Sequence, residues 1–577
     1  MHSSIRPDQY VVIQLPSDQS RILKLVPNTI VQLGKFGSFA ANQVIGRPFY
    51  LTFEILDAPE AGGYQLRVVS ATELHAENLI EEADADEDDV QESGEGIPMR
   101  TNRNIVDDAS TQKMTLQEIE ELKKEAGVAG KDIVAKLLES HTALDQKTAF
   151  SKAKYTLRKR KKYIRRFSVQ PLDVSVLTNY LLSSRDTGKT MELRDEHIGL
   201  IGCLGNVHHG GNVSLDDIRP NGRYFVVDET GGLVIAAMAE RMGILYPREE
   251  DDEILSAVDG NEGEQTTENV EVAANDDENA QFAVSDGRFP TENTGEAKPT
   301  SHNPRRNRPR PMSATGNTLT VVHANPQPNL SLLKYFGYDL NSPDENHPLY
   351  THLKTVSWLQ LVNPSLDPII ANPPAELSAE ELAALKPSKR SSYNYKRSRW
   401  ERVKTVTEEA RRGELDGLIV STLMEPSSVL KHLVPLLAGS ASVSIYSPYV
   451  EPLVQLMDLY SIARRTAFIN RKRELEAQQA SEDDTVDLSS LYEEFEIDPT
   501  LLLTPSLQTS RIRAWQVLPG RTHPLMTSRG GAQGYLFHGI RVIPMSENIQ
   551  AAGTFRKKRK VETTSTPASD RDVVMTS

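Results

Sequence analysis

The sequence predicts an α/β chain with an N-terminal all-β domain: a small β-barrel or sandwich, a helical basic linker, then a doubly wound, Rossmann-like domain with long disordered insertions. Three observations carry this. Short alternating apolar runs between Pro and Gly turns open the chain. A strand, a Gly-containing turn and a helical pattern follow one another from Arg223, and strand–helix units recur after it. Between the two lies Lys152–Arg166, KAKYTLRKRKKYIRR, a run with no acid in it. The expected boundaries are an all-β domain at 1–75, an acidic linker at 76–100, a helical basic linker at 101–170, and the α/β domain at 171–550. An insertion at 247–316 interrupts the last, and 551–577 forms a tail.

The strands of the first domain are Tyr10–Leu15, Arg21–Val26, Ile30–Leu33, Phe49–Ile55 and Tyr64–Val69. Gly34-Lys35-Phe36-Gly37-Ser38-Phe39 is Gly-rich, but its glycines do not precede a helix at dinucleotide-binding spacing, so it reads as a tight turn. Glu77–Glu95 is too acidic and too poor in apolar residues to order itself. Thr115-x-x-Glu118 is a capping box that starts a helix with Leu116, Ile119 and Leu122 on one face and Gly127 as its stop. Ile133, Val134, Leu137 and Leu138 mark the next helix.

The basic run that follows is set against a chain of 577 residues with net charge −15. Lys152, Lys154, Arg158, Lys159, Arg160, Lys161, Lys162, Arg165 and Arg166 would attract a polyanion through phosphate contacts and counterion release. Tyr155 and Tyr163 either stack on unpaired bases or anchor the segment to the fold. The competing reading is a solvated helix face or a localisation signal.

In the α/β domain the strands are Arg223–Asp228, Thr318–His323, Leu415–Ser421 and Ala441–Tyr446, with Arg511–Val517 and Tyr535–Val542 as a closing pair. Helical patterns cover Val174–Ser184, LVIAAMAERMG from Leu233, Leu330–Phe336, Ser428–Leu437 and Val450 to Ala463. Three tracts interrupt it: Pro247–Gly316, a Lys/Arg/Ser-rich stretch from Pro373 to Arg412, and the charged Arg471–Asp487. The first is expected to be disordered. Asp186-Thr187-Gly188-Lys189-Thr190 resembles the end of a phosphate-binding loop, but Ser183 stands where the motif needs its first Gly, which excludes a nucleotide triphosphatase of that type. A single cysteine, Cys203, excludes an intrachain disulfide framework and a thiolate zinc site. His208-His209 has no partner at ligand spacing, so no metal is expected. The absence of a long apolar run and of a signal-peptide core leads to the expectation of a soluble intracellular chain. Arg556, Lys557, Lys558, Arg559 and Lys560 form a basic run that reads as a nuclear localisation signal or a non-specific polyanion contact.

Several blocks together resemble one family, the non-catalytic subunits of the eukaryotic tRNA adenine-N1 methyltransferases, which act on the T-loop adenine. They are Pro27-Asn28-Thr29, Leu33 to Phe39, Ile45-Gly46-Arg47-Pro48, Asn102-Arg103, Asp107-Asp108, Gln112-Lys113, and Lys147 through Tyr163. Gly231-Gly232-Leu233, Glu240-Arg241-Met242-Gly243 and Pro519 to Pro524 complete the set. The resemblance implies a methyltransferase fold and nuclear assembly with a catalytic paralogue as a heterotetramer of two copies of each. It also implies tRNA as the common ligand, with S-adenosylmethionine in the partner and none in this chain.

The residues point the same way. An S-adenosylmethionine site needs a glycine-rich turn after the first strand, so that backbone and ligand approach closely. Here the turn is Asp228-Glu229-Thr230-Gly231-Gly232-Leu233, with only two adjacent glycines. The strand Leu418–Ser421 is followed by Thr422-Leu423-Met424-Glu425, with no Asp just after it, and Asp416 lies at the strand's start, the wrong end for catalysis. The expected function is therefore a tRNA-binding scaffold subunit. The alternatives are a methyltransferase in its own right, and a nuclear RNA-binding adaptor without a role in modification. No catalytic residue is assigned.

Overall fold

The computed structural model describes residues 4–16, 19–56, 65–74, 149–183, 187–209, 222–246 and 317–479, and most of 113–142 and 489–544. The acidic linker, the insertion at 247–316 and the basic run at 556–560 lie outside the described residues.

The N-terminal strands are β1 (Tyr10–Gln14), β2 (Ser20–Lys24), β3 (Ile30–Gln32), β4 (Ser38–Ala40), β5 (Thr52–Leu56) and β6 (Gln65–Val69). The Gly-rich segment is the turn between β3 and β4. Gly37 adopts φ 102°, which favours glycine, and its carbonyl accepts from the Leu33 amide at 2.8 Å. The central strand of this all-β unit comes from far along the chain. β7 (Arg166–Pro171) pairs antiparallel with β1 on one side and β5 on the other, in a sheet ordered β2-β1-β7-β5-β6. The sequence pattern instead closes this domain at residue 75 and assigns residues 166–170 to the helical linker. Phe167 and Val169 alternate inward as a strand requires, but their signal is masked by the basic residues before them. Phe167 stacks on Phe39 at 4.7 Å and on Phe53 at 5.4 Å, in a core with Val11, Ile13, Leu33 and Ile55. Among the described residues the outer strands β2 and β6 do not pair with each other, so the unit is an open sheet with a β3–β4 hairpin.

Among the described residues between β6 and β7 are the helices α1 (Gly130–Glu139) and α2 (Ala149–Tyr163). The expected capping box is present upstream: Thr115 N–H donates to the Glu118 carboxylate at 2.7 Å, and Glu118 N–H to the Thr115 hydroxyl at 3.3 Å.

After β7 come α3 (Val174–Ser183) and α4 (Asp195–Leu204), then β8 (Arg223–Asp228) and α5 (Leu233–Arg241). The remaining strands are β9 (Thr318–His323), β10 (Leu353–Ser357), β11 (Leu415–Ser421), β12 (Leu437–Ser447), β13 (Leu502–Gln508), β14 (Trp515–Leu518), β15 (Arg521–Pro524) and β16 (Tyr535–Arg541). One sheet runs β10-β9-β8-β11-β12-β16-β13, parallel through β12, with β16 antiparallel to both its neighbours. The reversal of strand order beside β8 makes it an open, doubly wound, Rossmann-like sheet. Successive residues explain why its strands are continuously apolar. Tyr224 and Val226 face a core with α3, α4 and α5, while Phe225 and Val227 face the opposite core. That second core also takes residues from α6 (Pro387–Arg412), α7 (Pro426–Leu433) and α8 (Glu451–Leu459).

Several expectations are corrected. The closing pair of the sheet is β13 with β16, while Trp515–Leu518 forms a separate hairpin with Arg521–Pro524. Pro505 sits at a register shift in β13, tolerable at a sheet edge, and it hides that strand in the sequence. Leu330–Phe336 is a 3₁₀ segment, Ser331–Phe336, stopped by Gly337 at φ 85°. The two later charged tracts are helical over much of their length, as α6 and as α9 (Ile462–Gln479). Both are polar on most faces and so lack the apolar stripe that reveals a helix.

Candidate functional site

The basic helix α2 leads into β7 through Ile164 and Arg165, so its orientation is fixed by the all-β sheet. Tyr163 is buried against Ile119, Ile133, Val134 and Leu137, which makes it an anchor and takes it off any base-stacking surface. The Tyr155 ring stands edge-on to His141 at 4.9 Å. Lys159 Nζ lies 4.9 Å from the Tyr155 ring centre, and Lys162 Nζ 5.3 Å from that of Tyr163. Partial burial, with a smaller push from Lys162, lowers the pKa of Lys159. Arg158 and Lys162 are exposed; Lys152, Lys154, Lys159, Arg160 and Arg165 are half-buried. The Lys161 side chain lies outside the described residues.

Arg166 departs from the sequence reading. Its side chain is only 8% exposed, and its guanidinium lies 3.1 Å from Glu73 and 3.7 Å from Glu54. Arg67 bonds the same two carboxylates. Arg166 therefore belongs to a structural charge cluster on the sheet and is withheld from the basic surface. Its position as the first residue of a strand, opposite Glu54 in register, is what the run of basic letters concealed.

The turn after β8 closes on itself. Asp228 is buried; its carboxylate accepts from the Thr230 amide at 2.6 Å, from the Thr230 hydroxyl, and from the Ile235 amide at 3.3 Å. The Thr230 hydroxyl oxygen accepts from the Val234 amide at 3.3 Å. The acid and the threonine thus serve orphan donors at the start of α5. Burial raises the Asp228 carboxyl above its ordinary range, opposed by these hydrogen bonds. Glu229 accepts from the Leu423 amide at 3.0 Å, and its own amide donates to the Ser421 carbonyl at 2.9 Å, tying the turn to the end of β11. Gly231 and Gly232 have φ of 77° and 93°. The segment after β9 packs onto them. Leu332 N–H donates to the Gly231 carbonyl at 3.0 Å, and a Cβ on Gly232 would lie 3.2 Å from the Leu330 Cα.

Other groups at the carboxyl ends of the strands are His323, whose Nδ1 lies 2.6 Å from the Asn325 carbonyl, and a shallow cleft lined by Thr422, Leu423, Glu425, Ser447 and Tyr449. Asp416 lies at the other end of the sheet and accepts from the Arg223 amide at 2.9 Å. His208 Nδ1 lies 2.6 Å from the Asn206 carbonyl, and His523 Nδ1 lies 2.9 Å from the Pro524 carbonyl. Among the described residues no cluster of potential metal ligands occurs, and no helix is long and apolar enough to cross a membrane. The sequence reading missed Asp228 as an internal helix cap, although an Asp two residues before a Thr at a strand–helix turn is a legible sign of it.

The described residues thus combine an open all-β sheet, whose central strand follows a basic helix, with a doubly wound, Rossmann-like sheet whose first turn is self-capped. The chain belongs to the Gcd10p family, whose model matches residues 4–386. It is 57% identical to the tRNA (adenine(58)-N(1))-methyltransferase non-catalytic subunit of Aspergillus oryzae, over 99% of this chain and 98% of that protein. It is 58% identical to the Aspergillus fumigatus protein of the same name, over 98% of each. Among solved structures it is similar to a SAM-dependent O-methyltransferase from Thermotoga maritima, with TM-score 0.35, 7% identity, and coverage of 94% of this chain and 97% of that one.

Proposed function

We propose that this chain is the non-catalytic, tRNA-binding subunit of a tRNA adenine-N1 methyltransferase, required with a catalytic paralogue for methylation of the T-loop adenine. The observation that carries the reading is its likeness, over nearly the whole length, to relatives named as that subunit. The turn after β8 supports the non-catalytic role. Thr230 fills the loop with its own hydrogen bonds, and Leu330 and Leu332 cover the glycines where a cofactor would need close backbone approach. The residue closing β9 is His323, where a carboxylate would be needed to hold ribose hydroxyls. These residues do not fit S-adenosylmethionine. The cofactor is assigned to the partner.

The exposed cations of α2, with Arg158 and Lys162 foremost, are proposed to lie along tRNA phosphates, and Tyr155 to fix the helix. Assembly as two copies of each subunit, in the nucleus, belongs to the same reading. The deciding experiment is methylation of a T-loop substrate by this chain alone, by the partner alone, and by both together. Activity is expected only with both. Turnover by this chain alone, or micromolar S-adenosylmethionine binding to it by calorimetry, overturns the reading.

A further inference from the structure

The helix α6 was read from sequence as a charged interruption, yet it is 26 residues long and divides into two unlike halves. Its C-terminal half is built into the fold: Val406, Thr407 and Ala410 are buried. The acids there are committed locally. Glu401 takes Arg397 at 2.9 Å, Glu408 takes Lys404 at 3.9 Å, and Glu409 takes Lys354 and Arg223 at 2.7 and 3.4 Å. The N-terminal half carries Lys389, Arg390, Lys396 and Arg399, all exposed, and reaches its first acid only at Glu401. No ion pair forms on these four among the described residues. Tyr395, between them, is 63% exposed.

This half is nonetheless held in place. The Tyr393 hydroxyl donates to the Ala375 carbonyl at 2.8 Å, and Trp400 Nε1 lies 3.5 Å from the Ile370 carbonyl. Its charges are also the wrong sign for local stability. The positive end of the helix dipole favours acids in the first turn, and α6 has none there, no side-chain cap, and Lys389 and Arg390 instead. A residue choice that opposes local stability, on an anchored and exposed helix of a chain with net charge −15, points to an external polyanion.

We propose that the N-terminal half of α6 is a second RNA-binding surface. Lys389, Arg390, Lys396 and Arg399 contact phosphates, and Tyr395 lies against a sugar or an unpaired base of the same tRNA. The proposal rests on the tRNA-binding reading above. An RNA suits the surface better than an acidic protein segment because an exposed aromatic interleaved with arginine and lysine provides a stacking platform as well as charge.

The test uses the full chain co-purified with its catalytic partner, carrying Lys389→Ala, Arg390→Ala, Lys396→Ala and Arg399→Ala together. Ala preserves helix propensity at these exposed sites. Affinity for a tRNA transcript is measured across salt concentrations. With about 0.7 to 0.9 lost from the log–log salt slope per phosphate contact, the slope should flatten by roughly 3, and affinity should fall at least about tenfold near physiological salt. In a second measurement, a photo-cross-linking phenylalanine analogue replaces Tyr395 in an otherwise unchanged complex and should capture tRNA. Unchanged affinity and slope with no cross-link, while the Arg158→Ala/Lys162→Ala complex is weakened, overturn this inference and leave the tRNA reading standing. A wild-type complex that fails to bind tRNA sinks both. Loss of the catalytic subunit from the α6 variant would assign the face to a protein partner and also overturn the inference.

Discussion

Arg166→Ala separates two roles that a basic residue beside a basic helix can have. The residue is buried at the start of β7, with Glu73 at 3.1 Å and Glu54 at 3.7 Å. Breaking a buried pair by removing one partner costs about 3–5 kcal/mol, because the other charge stays behind. Two features pull the value to the low end. Arg67 remains against both carboxylates, and Glu73 is 27% exposed, so water can take up part of the loss. The expected cost is about 3 kcal/mol, which is roughly a hundredfold in the folding equilibrium. Denaturant unfolding of the complex should show an earlier transition for the all-β unit, and thermal unfolding should start several degrees lower. Exposed Arg158→Ala should stay within about 0.5 kcal/mol of wild type.

The RNA measurement runs the other way. Affinity of folded complex for tRNA, and its salt slope, should be unchanged in Arg166→Ala and reduced in Arg158→Ala/Lys162→Ala. If Arg166→Ala keeps full stability but flattens the salt slope, the charge cluster is not what holds Arg166, and the whole run through residue 166 reads RNA.

Gly232→Ala should destabilise the chain by about 1–3 kcal/mol, since φ is 93° and the added Cβ would meet the Leu330 Cα at 3.2 Å; thermal unfolding checks it. Lys354→Met should cost about 2–3 kcal/mol by leaving Glu409 with Arg223 alone, and a second change, Glu409→Leu, should restore part of it in a double-mutant cycle. For Asp228 the folded pKa is raised, so its contribution to stability is fully present below the unfolded carboxyl value and is lost as pH rises through the folded one. Unfolding of wild type against Asp228→Asn should therefore give a difference that is largest in acid and declines towards neutral pH. A difference that grows with pH would refute the raised value.

The parallel strands were legible because both their faces are buried: RYFVVD, TLTVVH and LDGLIVS read as continuous apolar runs, and the observed bounds of β8, β9 and β11 coincide with them. β10 was not legible, because its second residue is Lys354, a buried cation whose partner Glu409 lies on α6. Nor was the path of β7, since strand pairing between residue 167 and residue 53 leaves no local trace. The site divides in the same way. The glycine-poor turn is local chemistry and was visible in Asp228 to Gly232. What covers those glycines, Leu330 and Leu332, arrives from across the sheet and was not. The helix α6 was hidden for a third reason: its N-terminal half, Pro387 to Arg399, contains no Ala, Val, Ile, Leu or Met and so has no apolar periodicity to read.

The turn also bears on why such a fold persists without a cofactor in the reading proposed here. Ligand-binding loops are drawn from the less stable parts of a fold, and their open amides are satisfied by the ligand. In this chain the amides of Thr230, Val234 and Ile235 are satisfied by Asp228 and Thr230, and Glu229 takes the Leu423 amide. The first turn of the sheet is thereby a bracing element that links β8, β11 and α5. Opening it by Thr230→Gly would unpair one buried donor, the Val234 amide, at about 1–3 kcal/mol and remove one hydrogen bond to Asp228, while Leu330 and Leu332 still blocked the glycines. A gain of S-adenosylmethionine binding from that single change is thus not expected. Stability and a ligand site compete for the same amides, and here stability holds them; the tRNA contacts proposed above are accordingly placed on the surface charge of α2 and α6.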